Sequence, residues 1–261
     1  MMHSWERRIM RIGALLLIVG AALSVGAFAW NGFSFDGMLE GKAYRQETYL
    51  PEGEFDRLDV SAVDAEIHIQ PSQDGECRVV CDESEDGHYT VEVQNGVLTV
   101  RSDDDWRTGI GIHMEEPQLT MFLPEKDYAE MKVHSVSGDV NVSGMRIDAL
   151  AMDATSGEIG LSQLTLGCLD VETVSGDIEL TDSVVSGDAC IRTTSGEIEL
   201  ENADAANFYI TSVSGDVKGI LRSGKAFDVH AVSGDVKLPQ SASGGAFKVS
   251  TTSGDVEIRV K

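Results

Sequence analysis

The sequence predicts an all-β protein: a β-solenoid, or single-stranded β-helix, with rungs of 19–20 residues, preceded by one N-terminal transmembrane helix. Three observations carry this reading. A Ser-Gly-Asp/Glu phrase recurs with its glycine at Gly138, Gly157, Gly176, Gly196, Gly215, Gly234 and Gly254, at spacings of 19, 19, 20, 19, 19 and 20 residues. Such constancy belongs to a chain that makes one turn of a coil per repeat. Apolar residues around each phrase alternate with polar ones, which is strand periodicity. The third observation is an uncharged run from Ile12 to Phe35 that follows Arg7, Arg8 and Arg11.

Residues 1–35 read as a cytoplasmic stub and membrane anchor. The apolar heart of the run is long enough to span a bilayer as a helix, and Trp30, Phe33 and Phe35 stand where an interfacial aromatic belt forms. The arginines on the N-terminal side keep that end inside, so the rest of the chain is expected outside the cytoplasmic membrane as a single-pass protein. Ala27-Phe28-Ala29 also fits a signal-peptidase site, so cleavage is the competing reading. Both export the domain.

Residues 36–130 read as an acidic, β-rich cap that begins the winding. Val63-Asp64-Ala65-Glu66-Ile67 resembles a degraded rung, Asn95-Gly96 between two alternating runs predicts a hairpin, and a strand from Gln118 to Leu123 stops at Pro124. A stack needs an end that is not another sticky rung.

Residues 131–261 read as seven regular repeats. Before each phrase stand Val133, Met152, Val171, Ile191, Ile210, Val229 and Val249; after it stand Val140, Ile159, Ile178, Ile198, Val217, Val236 and Val256. Stacking places each set in a column with a spacing of about 4.8 Å, giving a continuous core. The glycine is the corner, since it takes positive φ without a Cβ penalty. Gly219 breaks its apolar column and is expected to leave a weak point or bend. A calcium β-roll needs glycine pairs at a nine-residue period and a propeller needs longer blades, so neither fits.

Charge is strongly negative, at −24 overall, with 24 acidic and 7 basic residues in 36–130 and 19 and 10 in 131–261. Nucleic-acid phosphates would be repelled, whereas a cationic peptide or a basic protein would be attracted. Two acidic runs, Asp82, Glu83, Glu85 and Asp86 and then Asp103, Asp104 and Asp105, are the candidate cation- or peptide-binding residues; solvated loops are the plainer reading. The corner acids Asp139, Glu158, Asp177, Glu197, Asp216, Asp235 and Asp255 form a ladder that either accepts local hydrogen bonds or shares a hard cation. One acid per repeat favours the hydrogen-bonding corner, so no metal is expected.

No catalytic motif is present, and His68, His88, His113, His134 and His230 are scattered. Cys77 and Cys81 lie four residues apart on a predicted strand, too far for a direct bond. Cys168 and Cys190 occupy adjacent repeats but are displaced by about two positions.

Gly32-Phe33-Ser34-Phe35, Leu123-Pro124 and the repeated [VT]-S-G-[DE]-[VI] phrase resemble a bacterial candidate-adhesin family built on a domain of unknown function. The resemblance covers nearly all of the exported part. It implies a β-helical, membrane-anchored cell-envelope domain connected with adhesion or envelope stress, and it supplies no catalytic residues. The expectation is therefore a non-catalytic, cofactor-free binding or scaffold module in a Gram-positive-type envelope, its ligand an envelope protein, cationic peptide or glycan. One alternative is an envelope-stress sensor that meets cationic antimicrobial peptides. Another is a β-helix carbohydrate-active enzyme, disfavoured because constant repeat length leaves no room for the loops that would carry acids and bases.

Overall fold

Each Ser-Gly-Asp/Glu phrase joins two strands, as the alternation requires, and the strands of stacked repeats pair in parallel. The computed structural model describes residues 44–84, 87–103, 117–240 and 243–261, which all fall within one compact unit. The predicted membrane span and Glu85, Asp86, Asp104, Asp105 and His113 lie outside the described residues.

The N-terminal strands are β1 (Arg45–Tyr49), β2 (Arg57–Ala62), β3 (Glu66–Pro71), β4 (Arg78–Glu83), β5 (Tyr89–Gln94), β6 (Val97–Ser102) and β7 (Gln118–Leu123). The first three repeats supply β8 (Asp127–Ser135), β9 (Val140–Ser143), β10 (Arg146–Ser156), β11 (Ile159–Ser162), β12 (Thr165–Ser175) and β13 (Ile178–Thr181). Repeats four and five share β15 (Ile198–Ser214), flanked by β14 (Val184–Ser195) and β16 (Val217–Leu221). The last strands are β17 (Ala226–Ser233), β18 (Val236–Lys237), β19 (Ala246–Ser253) and β20 (Val256–Val260).

The strands before the corners form one sheet and those after them a second, with the apolar columns buried between. Val133, Met152, Val171, Ile191 and Ile210 line one side of this core, and Val140, Ile159, Ile178, Ile198 and Val217 line the other. At the N-terminal end the stack is closed by antiparallel pairs, β5 with β6 and β1 with β4 with β7. Asn95 (φ 52°) and Gly96 (φ 76°) make the β5–β6 turn, the mirror-type turn that Asn-Gly favours.

Sequence order and spatial order part company at both ends. The β2–β3 segment is a full coil, and it pairs on one side with β8 and β9 of repeat one. On its other side it pairs with β6 and β7, which come later in the chain. At the far end, β15 pairs with β19 and β16 with β20, so repeat seven lies directly on repeat five. Repeat six sits outermost, β17 on β19 and β18 on β20. The first and last coils of the sequence are thus both interior to the stack.

Pro239 explains why repeat six takes the end. It occupies the place held by Ile220 and Arg259 in repeats five and seven, and a proline that cannot donate to a ladder is tolerated at an edge and not between two coils. The strand β18 accordingly stops at Lys237. The column residues Phe227, Val229, Val236 and Leu238 are therefore not fully buried, contrary to the uniform core expected from the pattern, whereas Phe247, Val249, Val256 and Ile258 are buried.

Candidate functional site: the corner ladder and the sheet faces

All seven corner glycines have positive φ, from 98° at Gly157 to 155° at Gly176. The corner is also closed to side chains: a Cβ on Gly215 would lie 2.0 Å from the carbonyl oxygen of Gly196. Backbone meets backbone directly down this edge. The Gly215 N–H donates to the Ser253 carbonyl at 3.1 Å, and the Gly254 N–H to the Ser233 carbonyl at 3.1 Å.

The acids beside these glycines divide by length. Asp139 accepts from the Glu158 N–H at 2.8 Å, Asp177 from the Glu197 N–H at 2.7 Å, Asp216 from the Asp255 N–H at 2.8 Å and Asp255 from the Asp235 N–H at 2.7 Å. An aspartate reaches the next coil's amide, and a glutamate in the same place is one methylene too long to hold that geometry. Glu158 is pushed above the ordinary carboxylate value by burial, and then by the neighbouring Asp139, Glu179 and Asp177 charges. Among the described residues no group of three or more His, Cys, Asp or Glu side chains is arranged to hold a metal ion. Four of the seven carboxylates, those of Asp139, Asp177, Asp216 and Asp255, accept backbone amides, while Glu197 meets the Lys218 ammonium.

The opposite corner was not singled out from the sequence. It is turned by Gly144, Gln163, Asp182 and Asn202, all at φ between 50° and 66°. Asp and Asn tolerate that region, and their recurrence there was a usable signal hidden by the louder Ser-Gly phrase.

The three described members of the acidic runs do not form an open acidic loop. Glu83 ends β4 and is only 8% exposed, because it takes the Tyr49 hydroxyl at 2.6 Å, the Tyr89 N–H at 2.9 Å and the His88 ring at 2.9 Å. Burial opposes its charge, but the hydrogen bonds from Tyr49, Tyr89 and His88 hold its carboxyl below the usual range. This corrects its place among the exposed candidates. Asp82 lies in the same strand and accepts from the Gln118 N–H at 3.2 Å, and Asp103 accepts from the Thr90 hydroxyl at 2.8 Å.

A second enclosed charge was missed by sequence reasoning. Lys225 is 4% exposed, and its ammonium contacts Asp204 Oδ1 at 2.6 Å, the Ala205 carbonyl at 2.6 Å and the Ser223 hydroxyl at 3.0 Å. Three donors find three acceptors. Burial works against the Asp204 charge, yet the hydrogen bonds from Lys225 and Ser223 keep its carboxyl below the usual value.

The cysteines are all free. Burial raises the Cys77 thiol to about 11 and, aided by the nearby acids Glu83, Asp82 and Glu47, the Cys81 thiol to about 12, so both are unreactive near neutrality. Cys190 stands opposite Asp170, with Cys168 displaced along the strand beside a bulge.

What remains available to a partner is the outer surface of the two sheets, where side chains recur once per coil. One column runs Lys132, Ala151, Asp170, Cys190, Tyr209, Lys248 and Asp228 across the parallel ladders. Beside it, Arg192 bridges Asp170 at 2.6 Å and Glu172 at 3.3 Å. The other sheet carries a shallow groove of about 280 Å³ lined by Glu199, Glu201, Lys218, Gly219, Ile220 and Arg259, among others. Gly219 is buried between Leu200 and Ile258, and Ile258 leans to within 3.2 Å of where its Cβ would be. The missing side chain is partly filled from the neighbouring coil.

A family model described as Toastrack DUF4097 matches residues 55–261. No curated protein matches the chain. Among solved structures, a candidate cell adhesion protein from Clostridium sporogenes is 12% identical, with a TM-score of 0.42, covering 84% of this chain and 100% of that one. A candidate adhesin from Bacteroides fragilis is 16% identical (TM-score 0.45; 84% and 98% covered), and one from Parabacteroides distasonis is 15% identical (TM-score 0.44; 84% and 98% covered).

Proposed function

The chain belongs to the Toastrack DUF4097 family, and from that premise we propose that it is a non-catalytic binding or scaffold module of the cell envelope, held by its N-terminal apolar segment with the solenoid outside the cytoplasmic membrane. The observation that carries this reading is the column geometry of the sheet faces. Outward side chains recur at one fixed interval along the stack, about 4.8 Å per coil, which suits an extended or repetitive partner better than a small substrate. Four of the corner aspartates are committed to backbone amides, which turns recognition toward the faces. The uncharged run after Arg7, Arg8 and Arg11 supports the topology.

The test is a binding measurement with the purified full chain in detergent, against immobilised envelope polysaccharides and basic polypeptides. Saturable binding that is lost when Asp170 and Asp228 are changed to lysine, with the fold intact, is the expected outcome. Binding unchanged by substitutions on either face would overturn it. External protease added to intact protoplasts checks the topology, with digestion of the solenoid expected before lysis.

The net charge of −24 and the presence of both Glu199 and Glu201 in the lining of the groove over Gly219 favour one second reading, an accessory protein that meets cationic peptides. Binding of a basic peptide that weakens as salt rises and fails in Glu199→Gln/Glu201→Gln supports it; salt-independent binding refutes it.

A further inference from the structure

We propose that the slot between repeats five and six is a binding site for a strand–corner–strand segment, and that residues 246–261 of a second copy of this chain can fill it, giving a dimer swapped through its last coil. Four observations lead there. The coil β19–β20 makes ladders on both faces, with β15 and β17 in one sheet and with β16 and β18 in the other. Main-chain pairing of this kind transfers to any chain with the same register.

Side chains add selectivity. Phe247 sits between Phe208 and Phe227, with ring centroids 5.4 Å and 5.3 Å apart, and the Asp255 corner accepts one amide while donating its own N–H to Asp216.

The far wall of the slot has its own attachment. The connection between β16 and β17 passes the inserted coil, and Lys225 within it is tied to Asp204 and Ala205 of the earlier coil. Repeat six therefore stays tethered when the last coil leaves. The tether passes close to Gly244, where a Cβ would meet the Gly224 carbonyl at 2.0 Å, so this crossing admits only a segment without side chains.

Finally, the inserted coil is joined to β18 by Leu238-Pro239-Gln240-Ser241-Ala242-Ser243-Gly244-Gly245, a connection rich in the small and turn-forming residues that let a chain change direction. Exchange of an identical element between copies needs no new interface, which is what makes swapping a low-cost route to dimers.

The test uses two full-length variants in detergent, Thr211→Cys and Ser250→Cys. These positions are exposed and directly opposite across the β15–β19 ladder. Mixed, partly denatured and refolded together under oxidising conditions, the pair is expected to yield a linked species of twice the 28.1 kDa chain mass, its bond mapping to positions 211 and 250, in a yield that rises with protein concentration. Each variant refolded alone and mixed afterwards is expected to give none of it. Wild-type chains of light and heavy isotope content, refolded together, provide a readout free of substitutions: dimers of mixed mass that persist on dilution support the exchange. Monomers alone at every concentration, or a dimer without the 211–250 bond, would overturn it.

Discussion

Replacing Gly215 by alanine isolates the physics of the corner. Two costs are separable. At φ 148° a side chain carries backbone strain of about 1–3 kcal/mol. Its Cβ would also stand 2.0 Å from the Gly196 carbonyl oxygen, so the coils must move apart, weakening a ladder hydrogen bond worth about 1 kcal/mol. The expected loss is roughly 2–4 kcal/mol, or a fall in midpoint of roughly 5–15 °C for a domain of this size. Gly75 is the internal control, with φ 78° and nothing within 4 Å of its ideal Cβ; Gly75→Ala bears only the strain, about 1 kcal/mol. Far-UV circular dichroism during thermal and urea unfolding reads both variants. Equal midpoints for the two would refute the close-approach argument, and wild-type midpoints for both would refute the corner as a whole.

Removing Lys225 as Lys225→Met leaves Asp204 enclosed without its cation, and a loss of about 2–3 kcal/mol is expected, at or below the lower end for broken buried pairs because Asp204 keeps some solvent; urea titration checks it. The Asp204 carboxyl is lowered in the fold, so its stabilisation is present above the unfolded carboxylate value and is lost as pH falls through the lowered one. In Lys225→Met that acid-limb dependence should shrink, measured from the ordinary carboxylate range downward. Tyr49→Phe removes the 2.6 Å hydrogen bond to buried Glu83, an expected loss of about 1–2 kcal/mol near neutral pH; because that bond helps to hold Glu83 low, the loss should narrow as pH falls through the carboxylate range, as urea titration against pH would show. Deleting residues 246–261 should cost two coils and not one: β17 and β18 lose their pairing partners, and amide hydrogen exchange across residues 226–237 should rise to unprotected rates. Retained protection there would contradict the interchanged order of the last coils.

The regular part of the fold was legible because a 19–20-residue period and two-residue alternation leave a solenoid few alternatives, and the columns from Val133 to Val217 are buried as the pattern requires. The order of the coils was not. All repeats carry nearly the same columns, so local pattern cannot say which neighbour a coil takes; only Pro239 marked repeat six as unfit for the interior. Glu83 was misplaced for a related reason. A run of acids reads as solvated, and the groups that enclose this one include Tyr49, distant in sequence and brought near by the antiparallel pairing of β1 with β4. Lys225 lay outside every pattern, since its charge partner Asp204 and the Ala205 carbonyl belong to the earlier coil, a full repeat away in sequence.

The interior position of the first and last coils also bears on how such a chain can change length over evolutionary time. A middle repeat meets the same glycine edge and the same valine and isoleucine columns above and below, so duplicating one unit between β10 and β14 would extend the stack by about 4.8 Å and create no unfamiliar contact. The crossovers are matched to particular partners, β2 and β3 to β6 and β7 at one end, and Lys225 to Asp204 and Phe247 to Phe208 and Phe227 at the other. Gain or loss of a copy there would leave a crossing connection one storey out of place. Descendants of this architecture are expected to grow and shrink from the middle, keeping both terminal arrangements as fixed bookends.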